Sequence, residues 1–307
     1  MQANPLNDPT ALRLAADSLE ALFLPGHGML GASLRHRGEE LLRRVDDLAA
    51  AATKGSTAGI PLLHPWANRL AGRLYEAAGC HVTLDPSSPL LHRDEHGLPM
   101  HGVGWPLLSW EVHEAKADRI AARLDWSSNE LLAVFPYPHH LQMQVRLRPA
   151  SLTVEITLVA GSEGPVPVSF GFHPYVGIPG LPRAQWRLTL PSMRRLLSDE
   201  RGIPSGAEEP FAAFDAPLGA TAFDDGFAVL EEQPAFSLSG AGRRITLEFL
   251  AGYRFAQVFA PQDKDYIAIE PMTAPTNALL SGRGLKLVEP GGRFRAAFRV
   301  SVSPCIP

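Results

Sequence analysis

Several segments of this chain alternate apolar and polar residues with a period of two, and this pattern constrains its fold more than any other feature. In the clearest run the apolar positions are Leu152, Val154, Ile156 and Leu158, and the polar ones are Thr153, Glu155 and Thr157. The same spacing recurs at 143–147, 245–249, 267–269 and 294–302. Successive side chains of a β-strand point to opposite faces of its sheet, so this alternation indicates strands with one buried face. The sequence therefore predicts an all-β fold.

Prolines and glycines interrupt these runs at short intervals. The chain has 28 prolines and 27 glycines in 307 residues, and both residue types end strands and form turns. Many short strands separated by turns predict a large antiparallel β-sandwich, which we expect to form one domain over residues 1–307. Two segments between strand patterns, 86–99 and 199–227, are predicted to be long surface loops.

One segment has helical spacing instead. Its apolar positions are Leu41, Leu42, Val45, Leu48 and Ala52, and an alanine run covers 49–52. Alanine has the highest helix propensity, and this spacing places the apolar side chains on one helical face. A short helix is the prediction for this segment.

The composition excludes several classes of protein. Charged residues make up 20% of the chain and the net charge is -4, so a nucleic-acid partner is not expected. No apolar run approaches the roughly 18 residues of a membrane-spanning helix, and no secretory signal is visible at the amino terminus. Two cysteines exclude a disulfide framework and offer no zinc spacing. We expect a reduced, cytoplasmic, soluble protein with no metal or other cofactor and no membrane partner.

A histidine and a glutamate are the strongest candidates for catalysis. His173 stands in Gly-Phe-His-Pro-Tyr and Glu270 in Ile-Glu-Pro-Met-Thr, and each is predicted to end a strand beside a proline. Histidine exchanges protons near neutral pH, and a carboxylate in an apolar strand is costly to bury without a function. A lone histidine on an aromatic strand is more often a core residue. Together the two residues predict an acid/base pair in one pocket.

Three further clusters carry polar residues. Asn68-Arg69 offers donors and an acceptor that suit adjacent hydroxyls, although taken alone a turn with a solvated Arg69 is the better explanation. His101-Gly102 is followed by Trp105, whose indole face could lie against a sugar ring or pack in the core. Asp224 and Asp225 precede a glycine, a pattern that is usually a turn.

In chain order these clusters read Asn-Arg, His-Gly, Phe-His-Pro-Tyr, Phe-Asp-x-x-Phe and Glu-Pro. That order resembles the aldose 1-epimerase (mutarotase) family, from the Leu-Pro-Gly at 24–26 to the Pro-Gly-Gly at 290–292. No single motif is specific, and the shared order carries the resemblance. It implies the galactose-mutarotase type of β-sandwich, with the sugar lying across the concave face of one sheet.

The resemblance also implies roles for the candidate residues. Glu270 matches the general base and His173 the general acid of a reaction that opens and recloses the sugar ring, thereby interconverting α and β anomers. The substrate-binding positions that it implies, together with the aromatic candidate, are Asn68, Arg69, His101, Asp224 (with Asp225 as the fallback) and Trp105. The expected partner is a small sugar, an aldohexose or its phosphate, bound by a monomer or a homodimer.

The sequence departs from the family pattern at Phe172, Val176 and Val103, which leaves the sugar open. One alternative is a hexose-6-phosphate 1-epimerase, for which Arg69, Arg73 or Arg183 could bind the phosphate. Another is a sugar-binding protein without turnover. A glycosidase that uses Glu270 and Asp224 is a weaker alternative, because it leaves the histidines without a role.

Overall fold

The computed structural model describes residues 8–44 and 57–305. Within these ranges the chain is built mainly of β-strands. Two short α-helices occur in the described part, α1 at Asn129–Val134 and α2 at Ala278–Ser281. Single 3₁₀ turns lie at Pro25–His27, Trp105–Leu107 and Arg183–Gln185. The predicted all-β class is confirmed.

The strands of the first half are short, except for a long meander at its end. In chain order they are β1 (Leu12–Ala16), β2 (Leu19–Leu24), β3 (Leu30–His36), β4 (Glu39–Glu40), β5 (Leu62–Leu63), β6 (Leu74–Ala77), β7 (Cys80–Thr83), β8 (Leu91–Arg93), β9 (Pro99–Val103), β10 (Glu111–Lys116), β11 (Arg119–Trp126), β12 (His139–Arg148) and β13 (Ser151–Ala160).

The second half continues with strands of two to twelve residues. They are β14 (Val166–Val168), β15 (Gly171–Phe172), β16 (Tyr175–Val176), β17 (Arg187–Leu190), β18 (Met193–Ser198), β19 (Pro204–Phe211), β20 (Phe214–Pro217), β21 (Phe223–Val229), β22 (Ala235–Gly240), β23 (Arg243–Ala251), β24 (Phe255–Ala260), β25 (Ile267–Met272), β26 (Lys286–Val288) and β27 (Arg293–Pro304).

Two large antiparallel sheets form the sandwich. A nine-stranded sheet has the order β10-β11-β12-β13-β27-β23-β22-β17-β20, and an eight-stranded sheet has the order β19-β18-β21-β24-β25-β15-β5, with β16 also paired to β25. A four-stranded sheet, β1 to β4, and three two-stranded pairs, β6-β7, β8-β9 and β14-β26, complete the described strands. Phe172 of the eight-stranded sheet meets Phe298 of the nine-stranded sheet at a ring-centroid distance of 5.1 Å, so the core lies between the two sheets.

The alternating segments behave as predicted. In β13 the residues Leu152, Val154, Ile156 and Leu158 are fully buried, while the intervening side chains are partly exposed. The same alternation holds along β12 and most of β23. Burial of one such face supplies the main driving force for the sandwich, because each fully buried aliphatic side chain contributes about 1.5–3 kcal/mol.

The predicted long loop at 199–227 is wrong, and the one at 86–99 is interrupted by a short strand. Segment 199–227 contains β19, β20 and the start of β21, and segment 86–99 contains β8 and the first residue of β9. Proline, glycine and acidic residues suggested loops there. Exposed edge strands have the same composition, because they need no continuous apolar face, and β19 is such an edge.

Most of the predicted helix, residues 45–52, lies outside the described residues. Within the described part Leu41 and Leu42 are not helical, and Leu42 forms an isolated β-bridge with Val176. In residues 8–44 and 57–305, no helix is long and apolar enough to cross a membrane.

Candidate active site

The eight-stranded sheet gathers the candidate residues on one of its faces. Directly paired residues of neighbouring strands share a face, and so do residues two apart along one strand. Gln257 of β24 pairs with Glu270 of β25 on one side and with Gly226 of β21 on the other, so Asp224 shares their face. We call this surface, which carries Asp224, Gln257 and Glu270, the site face.

His173 reaches the same face from the next strand. Gly171 of β15 pairs with Met272, and Tyr175 of β16 pairs with Ala268, both of which lie on the site face of β25. His173 stands between these two positions, where β15 has ended, as the sequence predicted. The corresponding prediction for Glu270 is wrong: Glu270 is the fourth of six residues in β25 and is 2% exposed. Pro271 continues the strand opposite Ala256 instead of ending it.

The two residues are in direct contact. Nε2 of His173 lies 3.1 Å from Oε1 of Glu270, and both side chains are buried. The second atom of each group, Nδ1 of His173 and Oε2 of Glu270, is buried without a hydrogen-bond partner among the described residues. Both atoms therefore remain available for a hydrogen bond to a bound molecule.

Burial moves the two pKa values in opposite directions. The pKa of His173 lies well below its usual value because burial, His101 and Arg43 all disfavour the imidazolium. The pKa of Glu270 lies well above its usual value, chiefly because of burial and secondarily because of the Asp224 carboxylate. Both shifts favour the neutral form of the pair, in which the shared proton lies on Glu270 and not on His173. Loss of solvation disfavours the ionised form of the pair in the substrate-free protein.

Tyr175 supports the His173 ring. The two rings are stacked, with a centroid distance of 4.1 Å and an interplanar angle of 15°. The Tyr175 hydroxyl is 3.1 Å from Nε2 of His173 and 2.5 Å from Oγ1 of Thr57. Because the rings are nearly parallel, the hydroxyl lies over the imidazole and not in its plane, where a ring nitrogen forms hydrogen bonds. Thr57 is thus the better partner of this hydroxyl, and Glu270 is the better partner of His173.

His101 is held as a neutral donor. The backbone N–H of Asn68 donates to its Nδ1 at 3.2 Å, which leaves the proton of the neutral ring on Nε2. Burial lowers the pKa of His101 to about 3. Its ring meets that of His173 edge-on at 5.6 Å. Gly102, with a positive φ, packs on the backbone of His64, where a Cβ would lie 2.3 Å from the carbonyl oxygen; the His-Gly dipeptide therefore needs its glycine.

Asn68 positions its neighbours. It adopts a left-handed backbone conformation, which asparagine tolerates, and its Oδ1 accepts a hydrogen bond from the backbone N–H of Arg69 at 2.8 Å. Arg69 in turn donates from Nε to the buried Asp94 carboxylate at 2.6 Å. The guanidinium lines a small recess of about 30 Å³ and an adjoining cleft of about 590 Å³.

The sheet register separates the two neighbouring aspartates. Both lie within β21, so the predicted turn at this point is wrong. Asp224 accepts a hydrogen bond from Gln257 Nε2 at 2.8 Å and borders both the recess and the cleft. Asp225 lies two residues from Phe223 and two from Phe227 along the strand, so it points to the same face as these buried side chains and away from Asp224. It borders the cleft but not the recess. The register thus favours Asp224 over the fallback as a sugar ligand.

Trp105 does not face the cleft. It is 5% exposed and packs against Leu24, Leu30 and Ala32. With His101 it borders a separate recess of about 40 Å³. An indole buried to this degree has no open face for a sugar ring, so we leave Trp105 out of the proposed site.

Some residues of the site carried a sequence signal that was not used. Gln257 is a polar residue in an apolar strand, which is the same signal that singled out Glu270. Asp94 and Thr57 gave no signal, because each acts through a contact distant in sequence. In residues 8–44 and 57–305, no group of three or more His, Cys, Asp and Glu side chains is arranged to hold a metal ion.

Comparison with known proteins defines the class. The family model described as aldose 1-epimerase matches residues 24–301, and the chain belongs to this family. The chain is 24% identical over 261 residues to the uncharacterized protein YihR of Escherichia coli (strain K12), a match covering 78% of this chain and 80% of that protein.

Solved structures show the same fold. A galactose mutarotase-like protein from Clostridium acetobutylicum superposes with a TM-score of 0.81 at 20% identity, covering 95% of each chain. The Slr1438 protein of Synechocystis sp. PCC 6803 gives a TM-score of 0.78 at 23% identity, covering 99% of each chain. The predicted galactose-mutarotase type of β-sandwich is therefore confirmed.

The two aspartates are expected to respond differently to mutation. Asp224→Ala should raise KM for the sugar about tenfold or more and change kcat less, because its hydrogen bonds exist in both the ground state and the transition state. Asp225→Ala, on the opposite face, should leave KM within about twofold. Steady-state kinetics of the two variants measure this, and a silent Asp224→Ala beside an impaired Asp225→Ala would reverse the assignment.

Proposed function

We propose that this protein is an aldose 1-epimerase that interconverts the α and β anomers of a neutral aldohexose. Anomerisation removes the proton from the anomeric hydroxyl and adds one to the ring oxygen. The ring then opens to an aldehyde, the open chain rotates about its C1–C2 bond, and the ring closes on the other face of the aldehyde. The observation that carries this proposal is the buried 3.1 Å contact between His173 and Glu270 on the face that bears Asp224.

The pKa shifts favour this chemistry. The raised pKa of Glu270 makes its carboxylate a stronger base toward the anomeric hydroxyl, and the lowered pKa of His173 makes its imidazolium a stronger acid toward the ring oxygen. Ring opening converts the ionised pair into the neutral pair. The low-dielectric surroundings stabilise that neutral pair, so they assist the step that opens the ring.

The proton count of the pair stays constant. In the sugar complex, just before the ring opens, the proton of the pair lies on His173. In the open-chain intermediate it lies on Glu270, so the two states of the pair differ only in the position of this proton. Activity thus requires one proton on the pair and should fall both when a second proton binds and when the last is lost. The pH profile of activity should therefore be bell-shaped. Its two apparent pKa values belong to the pair and not to either residue, because the groups are in contact.

The charges of the cleft favour a neutral sugar over a sugar phosphate. Three arginines line it, against five carboxylates: Arg69, Arg195 and Arg201, with Glu95, Asp199, Glu200, Asp224 and Asp225. Each arginine already has a carboxylate partner: Arg69 has Asp94 at 2.6 Å, Arg195 has Glu209 at 3.2 Å, and Arg201 has Asp199 at 2.9 Å. A phosphate dianion would have to compete with these carboxylates for the arginines, and the remaining carboxylates of the cleft would repel it.

A sugar-binding protein without turnover and a glycosidase both fit the site less well. Hydroxyl recognition alone does not require a buried carboxyl against a buried imidazole, so a protein that only binds sugar leaves the pair without a purpose. The same holds for a glycosidase based on Glu270 and Asp224. We therefore retain catalysis by the pair as the proposal, and Arg69, His101 and Asp224 as its sugar ligands.

The proposal is tested by measuring the rate of anomerisation of freshly dissolved α-D-glucose, α-D-galactose and glucose 6-phosphate, each with and without enzyme. We expect kcat/KM for a neutral hexose to exceed that for the phosphate by at least about tenfold, because the cleft repels an anion. NMR of the two anomers measures all three under one condition. A preference for the phosphate would contradict the neutral-sugar assignment, and no acceleration of any sugar would contradict the proposed reaction.

A further inference from the structure

A charged residue outside the sugar-binding surface is stacked behind the acid/base pair. The guanidinium carbon of Arg43 lies 5.3 Å from the ring centroid of Tyr175 and 4.6 Å from that of Tyr266. His173 covers one face of the Tyr175 ring at 4.1 Å, so the guanidinium lies over the other face. The result is a three-layer column, Arg43–Tyr175–His173, with Glu270 in contact with its last member.

Backbone contacts fix Arg43 in this column. Its N–H donates to the carbonyl oxygen of Tyr175 at 3.2 Å, and its own carbonyl oxygen accepts from Gly59 at 2.9 Å. Its side chain donates from Nη1 to the carbonyl oxygen of Thr57 at 2.8 Å, and Thr57 in turn holds the Tyr175 hydroxyl. Two backbone hydrogen bonds and one from the side chain thus restrict the movement of Arg43 away from the ring that it covers.

We propose that Arg43 is a positioning residue of this site, which holds Tyr175 against His173 and sets the pH range in which the His173–Glu270 pair carries one proton. This inference rests on the proposed function. A guanidinium behind an aromatic ring places a permanent positive charge near the pair, and the low-dielectric surroundings screen that charge poorly. The charge opposes the addition of a second proton and eases the release of the last one. Both limbs of the pH profile are therefore displaced to lower pH.

Other charged and titratable groups surround the same residues. His173 is faced by Glu270 from β25, by His101 from β9 and by Tyr175 from β16. Beyond Glu270 lie Asp224 and Arg69. Arg43 is faced by Tyr175 and Tyr266, shares a cavity of about 480 Å³ with Glu40 and Asp265, and lies near enough to Lys264 to interact with it. These groups remain when Arg43 is replaced, so a difference between Arg43 variants reports on Arg43.

The decisive comparison is between Arg43→Met and Arg43→Lys. A unit charge within about 10 Å at an effective dielectric of about 20 shifts a pKa by roughly one unit. Arg43→Met should therefore move both limbs of the kcat/KM profile up by about one pH unit, with KM for glucose changed less than about twofold. Arg43→Lys keeps the charge and should leave both limbs within about 0.3 unit of the wild type. Arg244→Met, which removes an exposed arginine from the nine-stranded sheet, is the matched control.

A second readout separates this inference from the reaction itself. NMR of ¹³C-labelled histidines, with His173 assigned by comparison with His173→Asn, follows the pair in the substrate-free protein and needs no activity. In this NMR titration, Arg43→Met should move the titration of the pair to higher pH by the same amount as in the kcat/KM profile. Superimposable profiles and titrations for wild type and a folded Arg43→Met would overturn the inference. So would an equal displacement in Arg43→Lys, because lysine keeps the positive charge to which the displacement is assigned.

Discussion

Replacing Glu270 by glutamine is expected to lower kcat by about a hundredfold to ten-thousandfold. The amide keeps the shape and one hydrogen bond of the protonated carboxyl but cannot accept the anomeric proton, and a positioned acid or base typically contributes this much. Polarimetry with α-D-glucose measures the rate. Glu248→Gln, a change of the same chemistry in the nine-stranded sheet, is the control and should keep the wild-type rate.

The same variant should be at least as stable as the wild type at neutral pH. The pKa of Glu270 is raised above its usual 4.5, so the folded state holds a proton that the unfolded chain releases. The stability that this group contributes is complete below about pH 4.5 and decreases as pH rises through the raised pKa. Glutamine does not titrate, so the Tm of Glu270→Gln should gain on the wild type as pH increases. Near-wild-type turnover by the folded variant would remove Glu270 from the mechanism.

Replacing His173 by asparagine is expected to reduce kcat at least about a hundredfold while sugar binding persists. Asparagine can donate a hydrogen bond to the ring oxygen, but it cannot transfer a proton. The variant also leaves the buried Glu270 without its partner at 3.1 Å, so the remaining activity should lose the bell-shaped pH dependence of the pair. Stopped-flow polarimetry across pH measures the rate, and isothermal calorimetry measures the affinity.

The matched control is His81→Asn, which changes an exposed histidine of β7, a strand outside the eight-stranded sheet. It should behave as the wild type in both measurements. If His173→Asn kept a normal rate, His173 would be a core residue. The proton donor would then have to be His101, whose Nε2–H is the other imidazole donor described at this site.

Much of the fold could be predicted because alternation directly encodes which face of a strand is buried. Leu152 to Leu158 and Ile245 to Phe249 follow that rule, and both lie in the sheet that presents its other face to solvent. The rule fails in β25, where all six residues are buried. The second face of β25 carries the candidate site and is buried as well. Glu270 therefore interrupts the apolar run in mid-strand, and the sequence analysis placed the strand end there.

The candidate site could be predicted only where a single residue carried the signal. His173, Glu270 and Asp224 are polar residues in apolar or aromatic surroundings, which sequence alone reveals. The contacts that prepare them depend on pairs more than thirty residues apart, such as Gln257 with Asp224 and Asn68 with His101. The pKa shifts of the pair could not be predicted, because the burial that raises one pKa and lowers the other is a property of the folded sheet.

The central claim is that the His173–Glu270 pair opens the sugar ring by breaking the bond between C1 and the ring oxygen. It is tested most directly with α-D-glucose carrying oxygen-18 at the anomeric hydroxyl, dissolved in unlabelled water. ¹³C NMR at C1 distinguishes the two anomers and, through the isotope shift, the label. We predict that the wild-type enzyme equilibrates the anomers with the label retained. For Glu270→Gln, we predict that the anomerisation rate above the enzyme-free rate is at most about a hundredth of the wild-type value. Loss of the label in step with anomerisation would show that the hydroxyl departs as it does in a glycosidase, and would contradict this account.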